Sequence, residues 1–152
     1  MTAELRYRFT RHKIPATPDA VFALHFKSEE RRLHFILEAD RAAMPITRSD
    51  ITQSSYRRSL LAYLTAHQTK QLAQQLGIDN LRVLTVTTSP ERVASMLAVV
   101  KDITSGRGSN MFLFTDISEL AAQGNPLSLL WLTTAGTVRL DVPPRSKSFQ
   151  AP

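Results

Sequence analysis

Leu33-His-Phe-Ile-Leu-Glu-Ala-Asp-Arg41 is a strongly apolar run that ends in two acids spaced two residues apart. In a β-strand alternate side chains share a face, so Glu38 and Asp40 point the same way as His34 and Ile36, while Leu33, Phe35, Leu37 and Ala39 point the other way. Two carboxylates on one face repel unless a cation neutralises them. Upstream, Asp19-Ala-Val-Phe-Ala-Leu-His-Phe26 reads as a second strand, and the charged connection Lys27-Ser-Glu-Glu-Arg-Arg32 suits a hairpin. A turn near the centre of that connection sets Asp19 opposite Asp40 and gathers Asp19, Glu38 and Asp40 on one face of the sheet. Three converging acids predict a divalent-metal site. In the same register His25 and His34 are opposed at the far end of that face, but two histidines without a third ligand are more often ordinary sheet residues.

Downstream, residues 42–50 read as a loop, and a long helix is predicted within Ile51 to Leu76, opened by Ser or Asp caps. Tyr56, Leu60, Tyr63 and Leu64 recur at helical spacing and define a buried stripe with Leu61 at its border. At 100° per residue Ser59 falls on one flank of the stripe beside Tyr56 and Tyr63, Arg57 falls on the other flank, and Arg58 points away. Gly77 is a plausible C-cap. Leu81-Arg-Val-Leu-Thr-Val-Thr-Thr88 is a β-branched run suited to a central strand, and Ser89-Pro-Glu91 opens a helix that runs to about Asp102. This strand-to-helix succession predicts an α/β layer arrangement.

Thr104-Ser-Gly-Arg-Gly-Ser-Asn110 lacks the lysine and following Ser or Thr of a nucleotide-triphosphate loop and reads as a connector. Met111–Thr115 is a further buried strand, Asp116–Ala122 a short helix ending at Gly124, 127–133 an apolar segment around the single Trp131, and Thr137–Leu140 a last strand. At the front of the chain Arg6, Arg8, Arg11 and Lys13 alternate with Tyr7 and Phe9 as in a short exposed strand, suited either to phosphate contact or to guarding a sheet edge. Ile14-Pro-Ala-Thr-Pro18 then delivers the chain to Asp19.

With 152 residues, 43% apolar and 21% charged, the sequence predicts one domain over 1–142, followed by a disordered basic tail over 143–152. It contains no cysteine, which excludes disulfides and thiolate zinc sites. No apolar signal core and no stretch near the roughly 18 apolar residues of a membrane span is present, so the cytoplasm is the expected location and no membrane partner is expected. A net charge of +6 and a pI of about 10.2 favour a polyanionic partner, nucleic acid among the candidates, although many basic domains bind none.

Pro18-Asp19 opening a strand, Phe35-Ile-Leu-Glu-Ala-Asp-Arg41 closing the next, and Tyr56-Arg-Arg-Ser-Leu-Leu-Ala-Tyr63 on a helix together resemble the bacterial replication-relaxation proteins, and the similarity runs on through Leu81–Val93 and the Phe112 strand. That resemblance implies a restriction-endonuclease-like fold of the PD-(D/E)XK type, a central mixed β-sheet flanked by helices. It further implies action on plasmid or mobile-element DNA through a Mg²⁺-dependent phosphodiester-cleaving site, with Mn²⁺ as a substitute. Asp19 and Glu38 would be its metal-binding acids and Asp40 a further ligand or water-orienting acid. The sequence departs from the pattern at Asp40, where such enzymes carry lysine, and at Ser59, where relatives have a lysine on the following helix. The family also commonly carries a winged-helix segment ahead of this part, which this sequence does not include, so sequence-specific DNA reading is not expected from it alone.

Arg41, Arg57, Arg58, Arg6, Arg8 and Arg11 are the candidate DNA-backbone contacts. The expectations are therefore a metal-dependent nuclease or nickase, or a relative that binds DNA without cutting. The alternative is a catalytically inactive module that binds replication or mobilisation proteins.

Overall fold

A computed structural model describes residues 2–7, 10–15, 17–47, 55–78 and 80–143. The first two strands, β1 (Thr2–Tyr7) and β2 (Thr10–Pro15), form an antiparallel hairpin of their own, with Arg6 and Arg11 as Cα partners. The basic segment expected as one strand is thus two, joined through residues 8 and 9. Arg8 and the tail from 144 onward lie outside the described residues.

The remaining strands are β3 (Ala20–Phe26), β4 (Arg31–Ala39), β5 (Leu81–Thr87), β6 (Phe112–Asp116), β7 (Trp131–Thr133) and β8 (Gly136–Val138). They form a six-stranded mixed sheet in sequence order, in which β4, β5 and β6 are mutually parallel and the outer pairings are antiparallel. The helices are α1 (Tyr56–Gln68), α2 (Gln71–Leu76), α3 (Pro90–Ile103) and α4 (Ile117–Gln123). The protein is therefore α/β, and among the described residues no helix is long and apolar enough to cross a membrane.

Strand alternation divides the core into two layers. On one face Ile36, Val83, Phe112 and Phe114 meet the stripe Tyr56, Leu60, Tyr63 and Leu64 of α1, Leu72 of α2 and Met96 and Val100 of α3. On the other, Leu33, Phe35, Leu84 and Leu113 pack under Leu129, Trp131 and Leu140, with Leu120 of α4 against them. Phe22 stacks on its cross-strand partner Phe35 with ring centroids 5.2 Å apart.

Local chemistry explains the boundaries. Ser55 caps α1 by accepting from Arg58 N, Ser89 caps α3 by accepting from Arg92 N, and Asp116 caps α4. The single long helix expected within 51–76 is two in the described residues, because Lys70 adopts a left-handed φ of 56° that no continuing helix tolerates. Gly77 closes α2 in the left-handed region, as its position predicts.

The β3–β4 hairpin differs from its expected register by two residues. A 3₁₀ turn over Lys27–Glu29 and a left-handed Glu30 make a tight connection that pairs Phe26 with Arg31. His34 is consequently opposite Ala23, and His25 opposite Arg32, rather than facing each other.

Two glycines of the connector after α3 separate backbone strain from crowding. Gly106 has φ +81° and open space around a built Cβ, whereas Gly108 has φ +73° and a Cβ there would lie 2.4 Å from Thr134 Oγ1. That hydroxyl also accepts from Ser109 N at 2.9 Å, so it is not free to retreat. Gly106→Ala should lower unfolding free energy by about 1 kcal/mol through left-handed strain alone. Gly108→Ala should cost about 3 kcal/mol because overpacking adds to the strain. Urea unfolding of the two variants checks the order, and equal losses would contradict the close approach.

Candidate functional site

The carboxyl ends of β4 and β5 converge with the first turns of α1 and α3, the position at which open parallel sheets place their ligands. Asp19 joins this end because β3 runs antiparallel and begins there. Ala20 pairs with Leu37, so Asp19 one step earlier lies opposite Glu38, not opposite Asp40 as the longer turn would have set it. Asp19 N donates to Leu37 O at 3.1 Å, and Asp19 Oδ2 accepts from Ala39 N at 2.8 Å. The aspartate thereby closes the end of the hairpin while keeping its charge beside Glu38.

Glu38 is half-buried and accepts a short hydrogen bond from the Tyr63 hydroxyl of α1. Burial pushes its pKa up, the Tyr63 hydrogen bond pulls it down, and the Asp19 charge pushes it up again; the net direction is upward. Among the described residues neither Asp19 nor Glu38 forms an ion pair. The Tyr63 hydroxyl itself is raised above the ordinary tyrosine range, first by burial and then by the carboxylate it serves. Beside it Tyr56 is hydrogen-bonded to Thr85 in the layer beneath the site, and burial raises its pKa as well.

Asp40 is placed differently. Its backbone continues the ladder, Asp40 N donating to Val86 O at 2.8 Å, but its side chain is claimed by α3. Arg92 donates through Nε to Oδ2 and through Nη2 to Oδ1 at 3.0 Å, Thr87 Oγ1 donates to Oδ2 at 2.6 Å, and Arg92 Nη2 also donates to Met44 O at 2.7 Å. The Asp40 and Arg92 side chains retain 8% and 15% exposure, so this is a largely buried ion pair. Burial would raise the Asp40 pKa, but the hydrogen bonds and charge of Arg92, with Thr87 and the Ala42 backbone, outweigh it and hold the carboxyl below its usual range. Arg92 sits in the first turn of α3, where the helix dipole disfavours a cation, and Asp40 offsets that cost.

The expected trio of acids is thus a pair plus a neutralised third member. Among the described residues no three acidic or histidine side chains come together as a set that could hold a metal ion. Asp19 and Glu38 alone still meet the requirement of Mg²⁺, which takes one or two carboxylates and completes its shell with water and phosphate oxygens.

A cavity of about 220 Å³ opens between β4 and α1, lined by Glu38, Asp40, Arg41, Met44, Tyr56 and Ser59. Ser59 therefore faces the acids, on the flank its helical angle predicts. Arg41, which strand alternation alone would turn away from the acids, lines the cavity because β4 ends at Ala39 and alternation no longer governs it. Arg57 instead bonds Asp102 of α3 at 2.8 Å, tying α1 to α3 across a partly exposed contact, while the Arg58 Nε is buried without a hydrogen-bond partner among the described residues. Arg6 and Arg11 lie on the separate hairpin. Arg92, Thr87 and Tyr63 escaped sequence reasoning as partners of the acids. The usable signal was the first turn of the helix after β5, which a parallel β–α–β unit brings to the ends of its strands.

Compared with known proteins, the sequence matches no family model, no curated relative and no solved structure. Its class is accordingly what the structure defines, an α/β protein with a six-stranded mixed sheet and an acidic site at the carboxyl ends of its parallel strands.

The two acids carry opposite pH signatures. The folded protein holds the Glu38 proton more tightly than the unfolded chain, so this group's contribution to stability falls as pH rises from the ordinary value of 4.5 through the raised one. Glu38→Gln should therefore be more stable than the parent at neutral pH, with the gain vanishing in acid. Asp40, with its depressed pKa, stabilises above the ordinary 3.8, and that contribution disappears as pH falls through the lower folded value. Arg92→Met, which strands a buried carboxylate, should cost about 3 kcal/mol at neutral pH. The cost should shrink on acidification as Asp40 takes up a proton. Thermal unfolding across pH reads all three behaviours, and a pH-independent loss for Arg92→Met would contradict the pairing.

Proposed function

We propose that this chain is a DNA-binding module on a restriction-endonuclease-like framework of the replication-relaxation type, and that it holds DNA without cutting it. The observation that carries the reading is the direct opposition of Asp19, at the start of β3, and Glu38, at the end of β4, on a hairpin followed by a helix and a parallel strand. This is the arrangement implied for the two metal-binding acids by the resemblance of Pro18-Asp19 and Glu38-Ala-Asp40. Mg²⁺, or Mn²⁺ in its place, would be held by Asp19 and Glu38, and when bound it would supply positive charge for a DNA phosphate. Arg41, exposed and lining the same cavity, adds a guanidinium suited to that phosphate.

Cutting requires a further cation at the reacting phosphate, and the residues present argue against it. The position that would carry lysine is Asp40, whose counter-charge Arg92 is committed through Nε and Nη2 to that carboxylate and to Met44 O. The helix position facing the cavity is Ser59, which has no charge to give. The net charge of +6 supplies the long-range attraction that a backbone-binding protein needs.

At low salt with Mg²⁺ the protein should retard supercoiled plasmid while leaving it supercoiled. Glu38→Ala should weaken the Mg²⁺-dependent part of the binding. Affinity should fall steeply with added salt through counterion release. Nicking by the parent but not by Glu38→Ala would overturn the non-cutting reading in favour of an active nickase. Absence of retardation would remove DNA from the account and leave recruitment of replication or mobilisation proteins.

A further inference from the structure

Among the described residues the six-stranded sheet ends in two open edges of different length. β8 closes one side with three residues, whereas β3 leaves seven, Ala20–Phe26, along the other. An edge strand presents a row of outward N–H and C=O groups that another strand can pair, and proteins commonly guard such rows with charges, proline or bulges. Between Ala20 and Phe26 there is no proline, acid, lysine or arginine. The register with β4 runs unbroken through all seven positions, so no bulge turns the edge aside.

Both faces of the strand are short of neighbours. On the side shared with Ile36, Val21, Ala23 and His25 are exposed, Val21 to 57%. On the other side Phe22, Leu24 and Phe26 are only half-buried at the margin of the layer built on Phe35 and Trp131. Such a strand is apolar on its covered face, and its outer backbone has no ladder partner among the described residues.

We propose that β3 pairs antiparallel with β3 of a second copy of this chain about a two-fold axis at Ala23, joining two sheets into one. An isologous contact requires a strand complementary to its own reverse, and this one is. Phe22 of each copy faces Leu24 of the other, so the half-buried apolar side chains gain cross-strand partners on their own face. One step beyond the strand at either end, Asp19 meets Lys27 of the second copy. Both residues are exposed, and Asp19 forms no ion pair among the described residues of its own copy. A shift of one residue is forbidden because outward backbone groups alternate along a strand. The next permitted registers pair fewer of the seven residues and set Asp19 against His25 or Glu29 instead of Lys27. The pairing does not depend on the DNA reading and is measured without DNA or metal.

Sedimentation velocity of the full chain over a micromolar concentration series should show a monomer–dimer equilibrium. Lys27→Glu, which sets like charges opposite each other at both ends of the ladder, should weaken self-association roughly tenfold. The chain contains no cysteine, so Ala23→Cys introduces a single thiol directly opposite its own copy, within disulfide reach. Mild oxidation should link that variant into covalent dimers, whereas Thr137→Cys on the β8 edge should remain monomeric on a denaturing gel. All three positions are exposed, and circular dichroism checks that each variant keeps the parent's fold. A parent that stays monomeric throughout, a folded Lys27→Glu that associates as tightly as the parent, or Ala23→Cys linking no faster than Thr137→Cys would each overturn the proposal.

Discussion

The buried pair of Asp40 and Arg92 is the contact on which the geometry of the acid end depends. It joins the last residue of the β4 ladder to the first turn of α3, and by its further bond to Met44 O it fixes the loop that walls the cavity. Desolvating two charges is expensive, and such pairs are seldom net stabilising when compared with an apolar replacement. What the pair supplies is position. With both oxygens of Asp40 occupied by Arg92 and Thr87, the carboxylate is held away from Glu38, and among the described residues Asp19 is the acid whose charge acts on Glu38.

The two ends of β4 and β5 then form an electrostatic contrast along one pair of strands. At the carboxyl end a half-buried glutamate is made harder to ionise by burial and by Asp19; at the amino end a half-buried arginine is made harder to keep charged by burial and by Arg31. Neither arrangement favours folding. Perturbations of this type cluster at functional sites, although structural networks produce them too. Tyr63 serves the glutamate, and an Asn80–His34 hydrogen bond borders the arginine.

Much of this was legible in the residues. The apolar run at Leu33–Leu37 and its two acids located the edge of the parallel region, the spacing of Tyr56, Leu60 and Tyr63 gave the buried face of α1, and Ser89-Pro90 and Gly77 marked helix ends to the residue. The hairpin register was not legible, because it turned on a left-handed Glu30, a conformation that a charged residue does not advertise. The break at Lys70 has the same cause. Arg92 was hidden for another reason: its partner lies 52 residues away, and only the parallel pairing of β4 with β5 brings them together.

The reversal of charge at position 40 has a consequence for how a polyanion meets the acid end. Since Arg92 cancels Asp40, the acids that set the field among the described residues are Asp19 and Glu38, with Arg41 lining the same cavity. On the proposed DNA-binding reading, a phosphate approaching that pair is repelled until a cation bridges it, and a divalent metal on Asp19 and Glu38 would supply that bridge.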